Sequence, residues 1–144
     1  MIYFVGQAPS RKSKNNRGWA PGGASDALAR MAGISYEDLT KKAEFLNLLP
    51  EWPGKSAAGD LFDLKKARLE ADKIRQGLGT GDFVVFLGKS VAKAFGFKKP
   101  TYFVETTELG VTTVTMPHPS GINRWYNSKE NRSCAQEFIR KILK

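Results

Sequence analysis

The stretch "TMPHPSGINRW", residues 115–125, carries the chain's only histidine, His118, between Pro117 and Pro119. Flanking prolines restrict the backbone and remove two amide donors, so the direction of the imidazole is set by the chain. A neutral ring held in this way can donate to an oxygen on which negative charge develops; the other use of such a residue is structural, with its nitrogens satisfied inside the fold. Four residues on, Ile122 follows a glycine and precedes Asn123 and Arg124. An isoleucine in that polar loop is either buried or serves as a wedge, and apolar wedges entering a base stack are a known means of kinking DNA and exposing a base.

Charge points the same way. Lysine and arginine total 23 against 14 acids, a net charge of +9, and residues 1–18 hold Arg11, Lys12, Lys14 and Arg17 with no acid. Such a balance suits either a polyanionic partner or a solvated basic surface. One cysteine, Cys134, leaves no intramolecular disulfide, zinc-cysteine cluster or iron–sulfur centre. No metal and no cofactor is expected. The segment "LGKS" at 87–90 is not a phosphate-binding P-loop, because the required earlier glycine falls at position 83, which is Phe. The start "MIYFVGQAPS" has neither the charged head nor the long apolar stretch of a signal peptide, and no run is long enough to span a membrane. A cytoplasmic protein, monomeric and without membrane contact, is expected.

The elements that must position these residues can be read from periodicity. "IYFV" and "DFVVFLG" are β-branched and aromatic runs typical of buried strands, and "FLNLLP" is a shorter one broken by Asn47. "SDALARMAG" predicts a helix capped by Ser25 or Asp26 and stopped at Gly33; "SYEDLTKKAEF" predicts another, with Ser35 facing Asp38 in a capping box. Leu64, Ala67, Ala71, Ile74 and Leu78 recur at helical spacing, and "KSVAKAFGF" suits a short helix. "TYFVETTELGVTTVTM" reads as two extended runs about the turn "ELG", and "ENRSCAQEFIRKILK" as a helix with Cys134, Phe138, Ile142 and Leu143 inward. Alternating strands and helices over 144 residues predict one domain, 1–144, built as a three-layer α/β/α sandwich around a short, mainly parallel four-stranded sheet. Ligands of such sheets bind at the carboxyl ends of the strands. That edge would gather "GQAPS", Asn47, the loop after "VVFLG" and "PHPSG".

These motifs carry a resemblance. "GQAPS" after the first strand and "HPSGINR" after the last resemble the two signature loops of the uracil-DNA glycosylase superfamily, and "FLNLL" resembles its asparagine-bearing segment. The three occur in family order, "VVFLGKSVAKAFG" is similar to that family's third strand and helix, and the short form is most similar to small phage or bacterial members.

The resemblance implies a DNA partner, single- or double-stranded, and hydrolysis of the bond between a flipped pyrimidine and its sugar. His118 would donate to the base O2 as the base leaves; Asn47 would read the base's polar edge, which a side-chain amide can do, or would simply cap a strand end. Trp19 would stack on the extruded base, or be a core residue, and Ala8 would line the pocket. Ser10 and Ser120 would contact phosphates, Ile122 would fill the gap left in the stack, and Lys12, Lys14, Arg17 and Arg124 would add affinity without reading sequence. The first loop departs from the family pattern. Where many members hold a carboxylate or asparagine to position water, this chain has Gln7 and Ala8. Gln7 can orient water through its amide, or Asp26 or Asp60 can fold into the pocket. Three readings follow: a glycosylase of this kind, a glycosylase-shaped protein that binds DNA or a modified base without cutting, and a nucleotide-handling enzyme or basic scaffold.

Overall fold

The computed structural model describes residues 1–8, 23–49, 55–56, 59–60, 62–119 and 123–144. In chain order these form β1 (Ile2–Gly6), α1 (Gly23–Ala32), α2 (Tyr36–Lys42), β2 (Ala43–Asn47), the two-residue strands β3 (Lys55–Ser56) and β4 (Gly59–Asp60), α3 (Leu64–Gln76), β5 (Phe83–Leu87), α4 (Lys89–Ala94), β6 (Thr106–Glu108), β7 (Val111–Met116), a 3-10 turn at Arg124–Asn127 and α5 (Lys129–Ile142).

The main sheet runs β2-β1-β5-β7-β6. Its first four members are parallel and β6 is antiparallel to β7. Apolar residues on both faces explain the central runs. Phe4, Val85, Leu87, Val114 and Met116 pack with Leu28, Leu39, Ala135 and Ile139 of α1, α2 and α5. Val5, Val84 and Phe86 pack with Ala67, Ala71, Val91 and Ala92 of α3 and α4. Helices thus cover both faces, the expected α/β/α layering, and the small alanines of α3 allow it to lie close to the sheet.

The sheet has five strands rather than the four expected. The extra one, β6, is the first of the two extended runs around "ELG", reduced to three exposed residues. Its Thr-Thr-Glu sequence has no apolar face, so only pairing with β7 defines it. Helix α1 starts at Gly23, which puts Ser25 and Asp26 inside the helix instead of at its cap. Ser35 does cap α2, its Oγ accepting from the Asp38 N–H at 3.1 Å. In α5 the buried positions are Ala135 and Ile139, with Leu143 just beyond the helix also buried, while Cys134 is exposed. Cys134 lies one position off the inward stripe.

The β6–β7 turn is a two-residue loop, since Glu108 pairs with Val111. Leu109 and Gly110 both have positive φ, +52° and +80°, as a type I′ turn requires. A leucine in this region is strained by about 1–2 kcal/mol, and Leu109 is 91% exposed with nothing in return. Leu109→Asn is therefore expected to stabilise the fold by about 1 kcal/mol, seen as a rise of about 2–4 °C in Tm by circular dichroism. An unchanged or lower Tm would refute the strain assignment.

Candidate active site

The parallel register lines up the carboxyl ends of four strands. Asn47 pairs with Gly6, Val5 with Phe86 and Leu87 with Met116, so Asn47, Gly6, Leu87 and Met116 form one row across the sheet. With strands ~4.8 Å apart, Asn47 and Met116 lie roughly 14 Å from each other along that row. The chain passes from β1 to β2 on one side and then crosses to β5 on the other. Connections leave β1 toward α1 on one face and β5 toward α4 on the opposite face. The crevice this reversal opens lies between the ends of β1 and β5, the place where such sheets bind ligands.

Several of the candidates stand at that edge. Gln7 follows β1 directly and is half-buried. Its backbone is tied to the end of β2, because the Leu48 N–H donates to Gly6 at 3.0 Å and the Leu49 N–H donates to Gln7 at 2.8 Å. This stitching carries the β1–β2 pairing past both strands and sets Gln7 alongside Leu48, one position beyond the Gly6–Asn47 pair. Among the described residues, neither side-chain amide has a hydrogen-bond partner. Two half-buried amides are thus available to a ligand. Ala8 packs toward the α3–α4 side.

His118 lies two residues past β7 but leans over the end of β5. A Cβ built on Gly88 would come within 3.8 Å of the His118 Cβ. Gly88 has φ +104°, a conformation open essentially to glycine alone, and its N–H donates to the Met116 carbonyl at 2.8 Å. The backbone angle, not crowding, is what calls for glycine here, since 3.8 Å is an ordinary contact distance.

Three side chains missed by sequence reasoning hold this loop. Tyr126 donates its hydroxyl to the Pro117 carbonyl at 2.6 Å. Asn123 donates to the His118 carbonyl at 2.8 Å, and its Oδ1 accepts from the Trp125 N–H at 3.1 Å. Asn131, in the first turn of α5, donates to the Trp125 carbonyl at 2.8 Å. The histidine is thus braced through the 3-10 turn by a helix whose Ala135 and Ile139 are in the core. Burial pushes the Tyr126 phenol well above its usual range, so it stays a donor at all working pH values. Only the unusual density of Asn, Trp and Tyr after "HPSG" hinted at this.

Arg124 opens the 3-10 turn and is exposed. Lys89, the first residue of α4, sits with its Nζ 4.8 Å from the centre of the Tyr102 ring. Both place positive charge near the rim. Asp26 lies in the first turn of α1, and no described contact joins it to Gln7, Asn47 or His118. Asp60 lies in β4, paired with Lys55 in the separate two-stranded hairpin. Trp19, Ser10, Ser120, Ile122, Lys12, Lys14 and Arg17 lie outside the described residues. Among the described residues no group of three or more His, Cys, Asp or Glu side chains is placed to hold a metal, and no helix is long and apolar enough to cross a membrane.

A largely parallel sheet covered by helices on both faces, with polar residues at the carboxyl ends of its strands, defines a doubly wound α/β protein. A family model described as "Uracil DNA glycosylase superfamily" matches residues 1–143, and the chain belongs to that superfamily. Membership supports a glycosylase-type function acting on DNA in general. A comparison with curated proteins finds no match.

Replacing Tyr126 with phenylalanine removes the donor to Pro117 and leaves a buried carbonyl unpaired. The expected cost is about 1 kcal/mol of stability. If the loop positions His118 for chemistry, kcat should also fall by about tenfold with KM little changed, within the ~10²-fold range that ångström-scale misplacement produces. Equal loss in kcat and KM, or none in either, would reduce Tyr126 to a packing residue.

Proposed function

We propose that this protein is a DNA glycosylase that removes uracil or a related pyrimidine by hydrolysing its N-glycosidic bond after base flipping. What supports this reading is the row of strand ends itself: β1 and β2 finish at the Gly6–Asn47 pair, Gln7 follows directly, and the His118 backbone, held by Asn123, lies beside Gly88 at the end of β5. The departing pyrimidine gains negative charge on O2, and a fixed imidazole donor there stabilises the transition state more than the ground state. Asn47 offers a donor and an acceptor, the pair needed to read the N3–H and O4 edge of uracil. Gln7 holds the attacking water. Lys12, Lys14, Arg17 and Arg124 supply electrostatic affinity, Ser10 and Ser120 contact phosphates, Trp19 stacks on the base and Ile122 fills the vacated stack.

Incubation with single- and double-stranded oligonucleotides bearing uracil, hypoxanthine or hydroxymethyluracil, followed by alkali, tests it. Strand breaks at the uracil or modified pyrimidine are expected. One observation favours a second reading, a protein that binds a flipped base without cutting: neither Gln7 nor Ala8 is a carboxylate. Binding without alkali-labile sites at stoichiometric protein would establish that reading instead.

A further inference from the structure

The face of the sheet covered by α3 and α4 carries a cavity of about 530 Å³ that takes no part in the rim described above. One wall is a stripe of α3, where Arg68, Asp72 and Arg75 follow one another at helical spacing. The other wall is the end of α4 and the segment after it, with Lys93, Phe97 and Lys98. Four cations therefore face a single carboxylate across one space. Among the described residues, none of the four is in an ion pair; the pairs formed there are Met1 with Asp82 and Lys73 with Glu70. Among the described residues Asp72 is the one carboxylate on the two walls, so positive charge is in excess there.

Arg75 is also fixed in place. Its guanidinium donates to the Phe95 carbonyl and lies 5.7 Å from the centre of the Phe95 ring. One of its N–H groups is used in that anchor, and the rest of the planar fork remains to meet an anion without further ordering. Phe97, half-buried, lends the cavity an aromatic surface. A volume of about 530 Å³ is within the range of small-molecule sites. Charges on opposite walls favour a ligand that carries at least two negative charges and reaches both.

We propose that this cavity is a second anion site, independent of the rim, which takes a phosphate-bearing ligand of nucleotide size. The phosphates would be those of a free nucleotide or of successive positions along a nucleic-acid strand. The full chain, isotopically labelled, would be titrated at low ionic strength with inorganic pyrophosphate while its amide spectrum is followed. Saturable shifts at Gly96, Phe97 and Lys98 are expected. They should weaken at least fivefold in R68Q/K98Q and vanish in R68E/K98E. Neither side chain makes a hydrogen bond among the described residues, and an unchanged melting curve verifies that each variant folds; if the charge reversal does not fold, the glutamine variant decides. Parallel titrations use a deoxymononucleotide and an oligothymidylate lacking uracil. Tenfold tighter binding of the oligomer assigns the site to a strand backbone, and equal affinity assigns it to free nucleotide. Shifts that are absent, that fail to saturate, or that persist undiminished in both variants overturn the proposal.

Discussion

His118→Ala is expected to lower the single-turnover rate of uracil release by roughly 10²–10³-fold, the usual consequence of deleting one fixed donor to a developing oxyanion. The reasoning is differential. The base O2 is a weak acceptor in the bound nucleotide and a strong one as the glycosidic bond lengthens, so the imidazole's contribution appears in kcat and little in DNA affinity. Binding of a uracil-bearing oligonucleotide should change by less than about threefold. Stability should change little as well, because the loop is held through the Pro117 and His118 carbonyls by Tyr126 and Asn123, not through the ring alone. Measurement of both rate and affinity is needed. A rate unaltered by the substitution would remove His118 from the chemistry, whatever else the site does.

Gln7→Glu should act in the opposite direction. Departure of an anionic base leaves positive charge on the sugar, and the native first loop offers only a neutral amide to meet it. A carboxylate some 4 Å away would interact with that charge by about 1 kcal/mol in a water-like setting and about 4 kcal/mol near a protein surface. The rim is partly open, since Gln7 is half-buried, so a rate gain of about 10–100-fold is expected. Repulsion between the new charge and DNA phosphates should raise KM at the same time. The gain requires the ionised form. It should be full above the carboxyl pKa and disappear as pH falls through about 4, while the wild-type rate shows no such step. Single-turnover rates between about pH 4 and 8 would reveal it. A Gln7→Glu enzyme no faster than wild type at any pH would mean that the water is held elsewhere, with Asp26 the next candidate.

The core elements were legible because each carries its period. Phe4, Val5 and Val84 to Leu87 are continuous apolar runs, and a strand buried on both faces admits little else. The stripe Ala67, Ala71 and Ile74 marks α3, and the Ser35 cap marks the start of α2. The extended run before "ELG" was legible, but its place as a fifth strand and the exposed position of Cys134 were not. Three polar residues carry no pattern that says they pair at a sheet edge, and one step around a helix separates inward from outward at a residue as small as cysteine.

For the site, chain order alone was enough to propose that "GQAPS", Asn47 and "HPSG" meet, because parallel strands deliver every following loop to the same edge. It was not enough to say how. The lean of His118 over Gly88, the stitch from Leu49 to Gln7 and the support from Tyr126 and Asn123 all join residues by contacts whose geometry no local pattern encodes. The amino-acid sequence thus determined which groups stand at the carboxyl edge, through hydrophobic periodicity and turn chemistry. Only the tertiary structure decided their distances and their bracing, because strand register and the packing of α5 are settled by the whole core at once.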